Sequence, residues 1–402
     1  MKSPKILFAS LLALATAGVA QAQTVVHITG STAFRSAVHT AITDILEPGF
    51  TYAYSGTSFT GASQAIFTGN AITNGISVII KTSWSGSLAG IETVSQAVPS
   101  TVGTFLTNTT AQSTGGTPSA PAVYDPPLIP ELCMSDGFQF TSQYPSPVLA
   151  AQTVGIVPFN FICNPTAPAT LTNLTPLLAQ ALWENGSLPL SMFSGDTNDA
   201  NTIVYALGRD PDSGTRKTAF LETGVQTFVN SLTPAIVLQY EPTNASGAVV
   251  NKANFTAITG LTTWPAETVD NINFPAGDAG YSSGGDLAYA MKAASPFIQV
   301  AYLGLSDSAT AETSTGGSGV ARPLSYNGVM YSPGAVQNGQ YTYWTYEQLD
   351  YLPSYGTTDA NGKAVADSLA QNILTNIPVS VGVILSSMNV VREQEGGPVT
   401  PQ

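Results

Sequence analysis

The sequence predicts an α/β fold built as two lobes, each a mixed sheet flanked by helices with a cleft between them. Three observations carry this expectation. Apolar strand-like runs alternate with segments of helical spacing. The same order of strand, polar turn and helix occurs twice, after Val25 and after Ile203. Finally, 402 residues exceed one ordinary domain. The 37 Gly and 27 Pro are spread without a collagen-like period, which fits a globular chain with generous loops.

Taken in order, the first segment reads as an export leader. Lys2 and Lys5 precede a short apolar stretch, Ile6 to Val19, and Ala20-Gln21-Ala22 supplies the small residues of a cleavage site, so residues 1–22 are expected to be a signal peptide. A buried N-terminal helix is the alternative. No Cys follows Ala22, which argues against a lipid anchor, and no later stretch reaches the roughly 18 apolar residues of a membrane span. A periplasmic or extracellular location follows. Val25-Val26-His27-Ile28 reads as a strand; Phe34, Val38, Ala41, Ile42 and Ile45 then recur at helical spacing until Pro48-Gly49 stops the helix. Residues 95–130 are rich in Thr, Ser, Gly and Pro and read as an irregular surface excursion. Ile203 to Leu207 reads as a second strand, and Phe220, Leu221, Val225 and Phe228 as the helix after it. The aromatic run Tyr341 to Tyr346 reads as an amphipathic edge strand with its hydroxyls outward.

Lys plus Arg number 12 against 25 Asp plus Glu, a net charge of −13, so a broad basic face for nucleic acid or anionic membrane is excluded. Export makes Cys133 and Cys163 candidates for one disulfide; the alternative is two separate buried thiols. With two Cys and two His, His27 and His39, the chain cannot build a Cys-rich zinc site, and no metal or cofactor is expected.

Both strand-to-helix junctions carry the same chemistry, Gly30-Ser31-Thr32 and Ser213-Gly214-Thr215. Backbone N–H groups at a helix N-terminus lack intrahelical partners and carry partial positive charge, so Gly and hydroxyls there can seat an oxyanion. Simple helix capping is the alternative. The cations shift the balance. No Lys or Arg lies between Lys81 and Arg209, and then Arg209, Arg216 and Lys217 fall together at the second junction. In so acidic a chain a fixed guanidinium points to a focused anion site, with Arg35 as a second candidate. An ion-pair patch with Asp210 and Asp212 is the competing explanation.

These residues resemble the phosphate-binding periplasmic proteins of ABC importers, which have the type 2 periplasmic-binding-protein fold. The likeness rests on Gly30-Ser31-Thr32-Ala33-Phe34, Gly56-Thr57-Ser58-Phe59-Thr60-Gly61, Met134-Ser135-Asp136, Arg209-Asp210-Pro211-Asp212-Ser213-Gly214-Thr215, and Ser283-Gly284-Gly285-Asp286 ahead of Val300 to Gly304. The resemblance implies hydroxyl donors from Thr32, Ser58, Ser213 and Thr215 and N–H donors from Phe34, Gly214 and Thr215. Arg209 would be the charged clamp, and Asp136 the acceptor of an oxyanion's proton; the alternative for Asp136 is a helix cap. It further implies a monomer that delivers inorganic phosphate or a similar oxyanion to an ABC transporter permease. One lobe would comprise 23–157 and 306–402, the other 158–305, with crossings near Gly155 to Pro158 and between Ala301 and Arg322. The segment between Ser58 and Asp136, which contains Thr82-Ser83-Trp84-Ser85-Gly86-Ser87, is longer than that family needs.

Two rival functions follow from other features. Gly280-Tyr281-Ser282-Ser283-Gly284 matches the G-x-S-x-G pattern of hydrolases, but no strand leads into it and both His precede the serine, against the order of that fold. A metal-dependent phosphoester hydrolase lacks its His and Asp cluster. An extracellular interaction or adhesion protein on the same fold would use the Thr-rich excursion and the aromatic run.

Overall fold

A computed structural model describes residues 23–99, 105–120, 122–225, 237–269, 272–316 and 319–402. The expected leader, residues 1–22, and Phe228 lie outside the described residues. Among the described residues, twelve strands form one mixed sheet. In chain order they are β1 (Thr24–Gly30), β2 (Thr51–Ser55), β3 (Gln64–Asn70), β4 (Ser77–Ser83), β5 (Thr117–Ser119), β6 (Leu132–Asp136), β7 (Ala150–Cys163), β8 (Ser187–Pro189), β9 (Ile203–Ala206), β10 (Ile298–Gly304), β11 (Arg322–Pro323) and β12 (Trp344–Tyr351). Across the sheet the order is β5, β2, β3, β4, β1, β6, β12, β7, β10, β9, β8, with β11 also beside β7. The helices that matter below are α1 (Arg35–Asp44), α2 (Ser87–Ser95), α3 (Pro176–Asn185), α4 (Gly214–Thr223), α5 (Gly284–Lys292), α6 (Leu305–Ala311) and α7 (Ala360–Asn376).

β1 is rich in β-branched residues and runs parallel to β4 on one side and β6 on the other, with Val26 opposite Ile80 and Thr29 opposite Cys133. The helix expected after it is α1, which ends before Pro48-Gly49. Strand β9 and helix α4 stand where the second junction was expected, but α4 stops at the left-handed cap Gly224, so Val225 lies beyond it. The Thr-rich excursion is partly ordered into the sheet, because its β5 pairs in parallel with β2 at the edge.

β7 joins the two halves of the sheet. Ala150 to Pro158 pair with β12, and from Phe159 onward the partner is β10. Pro158 has no N–H to give to a ladder, and the exchange of partners falls directly after it. The chain returns to the β6 side through β12, which lies between β6 and β7.

The aromatic run differs from expectation. Tyr341, Tyr343 and Trp344 are fully buried, and all eight residues of β12 are buried. A central strand covered on both faces buries both sides of the pleat, so alternation in the sequence does not mark a solvent face. The Tyr341 hydroxyl donates inward, to the Phe159 carbonyl at 2.6 Å. The expected cross-link is also corrected: Cys133 and Cys163 are free and buried. Cys133 on β6 packs with Ile91 and Val94 of α2, whereas Cys163 ends β7 in a different apolar cluster. Among the described residues, no helix is long and apolar enough to cross a membrane.

Candidate functional site

Three strand-to-helix junctions meet at the ends of β1, β4 and β6. Gly30 closes β1 at φ +109°, and a Cβ there would stand 2.0 Å from the Met134 carbonyl oxygen, so only Gly lets the Ser31 N–H reach that carbonyl at 2.8 Å. The turn aims two hydroxyls. Ser31 Oγ donates to the Asp136 carboxylate and accepts from the Phe34 N–H at 3.1 Å. Thr32 Oγ1 accepts from Arg209 Nη2 at 3.4 Å.

The second junction is the mouth of α2. The Gly86 N–H donates to the Gly30 carbonyl at 2.9 Å, and Ser87 Oγ accepts from the Asp136 N–H at 3.0 Å. The third is the mouth of α4, where Ser213 Oγ accepts from the Arg216 N–H at 3.2 Å and so acts as an N-cap. Gly214 packs so closely on the others that a Cβ would lie 2.4 Å from Ser87 Oγ and 2.9 Å from Asp136 Cβ. The N–H groups of Gly214 and Thr215 belong to the first turn of α4 and have no intrahelical acceptor.

Arg209 lies at the centre of this arrangement, 1 % exposed. Its Nε donates to the Tyr281 carbonyl at 2.8 Å and its Nη2 to the Ser282 carbonyl at 2.9 Å. Its backbone is held by Tyr302 Oη, Gln239 and Arg216. Among the described residues, every side-chain hydrogen-bond partner of Arg209 is neutral. Its two companions in sequence form ion pairs elsewhere, Arg216 with Asp278 and Lys217 with Glu395.

The carboxyls around Arg209 are held up by burial. Asp136 is pushed above its usual range by burial, against the pull of the Ser31 hydrogen bond and the Arg209 charge. Glu347, directly opposite Asp136 in the β6/β12 register, is raised further by burial and then by the Asp136 charge. Asp307 on α6 is raised by burial while Arg35, 3.7 Å away, and Arg209 pull it down. Burial also raises Asp210, to about 6.

The structure thus brings together Thr32, Asp136, Arg209, Ser213, Gly214 and Thr215. It engages the Phe34 N–H with Ser31 and leaves Ser58 apart. Ser58 is exposed, its hydroxyl 3.2 Å from Thr60 Oγ1, on a loop anchored by Phe59 against His39. Sequence reasoning missed Ser85 and Ser87. Because β2 and β3 lie outside β4, the strand next to β1 is β4, and the helix mouth it feeds is Trp84-Ser85-Gly86-Ser87. The unassigned Ser-Gly-Ser in the overlong segment was the available signal. Sequence reasoning also missed Glu347, for which no local signal existed.

Two adjoining cavities open on the Thr32 side of these groups. One of 360 Å³ is lined by Thr32, Arg35, Trp84, Ser85, Asp212 and Ser283, among others. The second, of 630 Å³, is lined by Ser58, Thr60, Asp307 and Tyr289, and shares Arg35, Gly61, Lys252 and Gly285 with the first.

The chain is similar in structure to a putative phosphate ABC transporter substrate-binding protein from Clostridium perfringens, with a TM-score of 0.50 over 90 % of this chain and 100 % of that one at 13 % identity. It shares the fold of an ABC-transporter substrate-binding protein. An ABC-type phosphate transport receptor from Vibrio cholerae matches more weakly, with a TM-score of 0.44 over 87 % of this chain and 97 % of that one at 10 % identity. No family model matches the sequence, and no curated protein matches it.

Proposed function

We propose that this chain is an exported substrate-binding protein that captures inorganic phosphate or a similar oxyanion between two lobes and presents it to an ABC transporter permease. The observation that carries the reading is Arg209: a guanidinium 1 % exposed whose hydrogen bonds, among the described residues, all go to neutral oxygens. A buried charge of this kind is costly unless an opposite charge joins it. The helix mouths of α2 and α4, the Thr32 hydroxyl and Arg209 offer donors to one small anion, and Asp136 offers an acceptor to a protonated one. The fold shared with the Clostridium perfringens substrate-binding protein supports the same role.

In this reading one lobe holds β1 to β6 and β12, the other β8 to β11, with crossings at Pro158 and just before Trp344, later than the 305 boundary expected from the sequence. An anion bonded from both lobes would favour their closure. The role is binding rather than catalysis. Ser282 of the G-x-S-x-G stretch uses its carbonyl on Arg209 and Ser283 caps α5, while His27 pairs with Glu131 and His39 with Trp84.

Titration calorimetry with phosphate, sulfate and arsenate tests the proposal. Micromolar or tighter binding of one ion is expected, weakened about 10- to 150-fold in Arg209→Ala, since a hydrogen bond to a charged group contributes roughly 1.5–3 kcal/mol. Absence of heat with all of these ions would sink the capture role in favour of an interaction protein.

A further inference from the structure

We infer that the ligand seated at Arg209 is a phosphomonoester of a polyhydroxylated molecule, a sugar phosphate in class, rather than the bare ion. The inference rests on the oxyanion reading above and names the substrate class of that site. A tetrahedral oxyanion takes the room of a few water molecules, at about 30 Å³ each. The space next to Thr32 and Ser282, the two residues that Arg209 Nη2 bonds, is far larger, because the 360 Å³ cavity they line adjoins one of 630 Å³ through common walls at Arg35, Gly61, Lys252 and Gly285. That second volume falls within the roughly 300–1,000 Å³ of small-molecule sites.

The lining chooses the chemistry. Half of the residues around the 630 Å³ cavity are Ser or Thr, among them Ser58, Thr310 and Ser380, and its charged groups are of both signs, Arg35 and Lys252 against Asp307. A hydroxyl donates and accepts, so a polyol pairs with carboxylate, ammonium and side-chain hydroxyl alike. A second phosphoryl group would meet Asp307 and, in the smaller cavity, Asp210, Asp212 and Asp286, four carboxyl side chains against the two cations Arg35 and Lys252. The Tyr289 ring on the wall offers an apolar face to the C–H side of a sugar. Ser58, remote from the Asp136 cluster, is then accounted for as a contact to the ligand's body.

The test is calorimetric titration of the exported chain with inorganic phosphate, glucose 6-phosphate, glycerol 3-phosphate and inositol 1-phosphate. At least one ester is expected to bind tenfold or more tightly than inorganic phosphate. Ser380→Trp, at an exposed position on the outer wall, is expected to weaken that ester at least tenfold and leave inorganic phosphate within twofold. Phosphate binding with none of the esters tighter overturns the inference and leaves the Arg209 reading standing, as does an ester whose affinity is unchanged in Ser380→Trp. Failure of every probe, phosphate included, overturns both.

Discussion

Gly214→Ala probes the convergence of the helix mouths most directly. The added methyl would stand 2.4 Å from Ser87 Oγ and 2.9 Å from Asp136 Cβ, so the mouth of α2 or the end of β6 must move. Overpacking of this kind costs about 1–3 kcal/mol. Ala in a helix gains at most about 1 kcal/mol over Gly, which leaves a net loss of up to about 2 kcal/mol. Urea unfolding should report that loss, and on the proposed function phosphate affinity should fall with it, because the displaced groups are those proposed to face the anion. Ser87→Gly removes the two nearest colliding atoms, Oγ and Cβ, and leaves the contact with Asp136 Cβ. In that background the cost of Gly214→Ala should shrink by about 1 kcal/mol, an interaction energy typical of residues in contact. If Gly214→Ala is as stable as the parent and shows no coupling to Ser87→Gly, then α2 and α4 do not meet at Asp136 and the site has been assembled wrongly.

Burial raises Asp350 to about 8 against the pull of Lys217, so the folded chain keeps a proton that the unfolded chain releases near pH 4. Its contribution to stability is therefore present at low pH and lost as pH rises through 8; Asp350→Asn should gain a few kcal/mol over the parent between pH 4 and pH 9, read from urea midpoints at both. His39 is lowered to about 3 by burial, which puts the loss on the opposite side: stability falls as pH drops from about 6.5 towards 3, and nitrogen-15 NMR should show a neutral imidazole at pH 5. A charged His39 at that pH would contradict its bond from Trp84 Nε1, whose acceptor must be an unprotonated nitrogen. Cys133 and Cys163 should both react with a thiol reagent when the chain is unfolded without reductant; an unreactive pair would show a disulfide after all.

Ser58 and Ser87 show where reading by spacing stops. Both follow a strand and both sit among Gly, Ser and Thr, so their local chemistry is nearly the same. Sheet order separates them: β3 turns back against β2 and leads into β4, and β4 takes the place beside β1. The Ser58 loop is thereby placed outside and the Ser87 turn against Asp136. The same limit applies to the aromatic run. Its alternation is compatible with an edge strand, but Trp344 to Tyr346 pair with β7 in the middle of the sheet, and Tyr341 and Tyr343 just before them are buried too, while Thr342 is half-buried.

By itself the sequence determined the elements whose signals are local. The α/β class came from periodicity, the β1 to α1 and β9 to α4 junctions from Gly and hydroxyl residues at helix starts, and the importance of Arg209 from the scarcity of other cations. Such signals act over a few residues, where backbone sterics and capping decide. The tertiary structure alone decided which helix mouth joins the others, that Glu347 faces Asp136, that Arg216 and Lys217 are ion-paired while Arg209, among the described residues, hydrogen-bonds through its side chain only to neutral oxygens, and that Cys133 and Cys163 stay apart. These are pairings between residues distant in the chain, set by strand register and by the need to bury both faces of one sheet, and no spacing along the sequence encodes them.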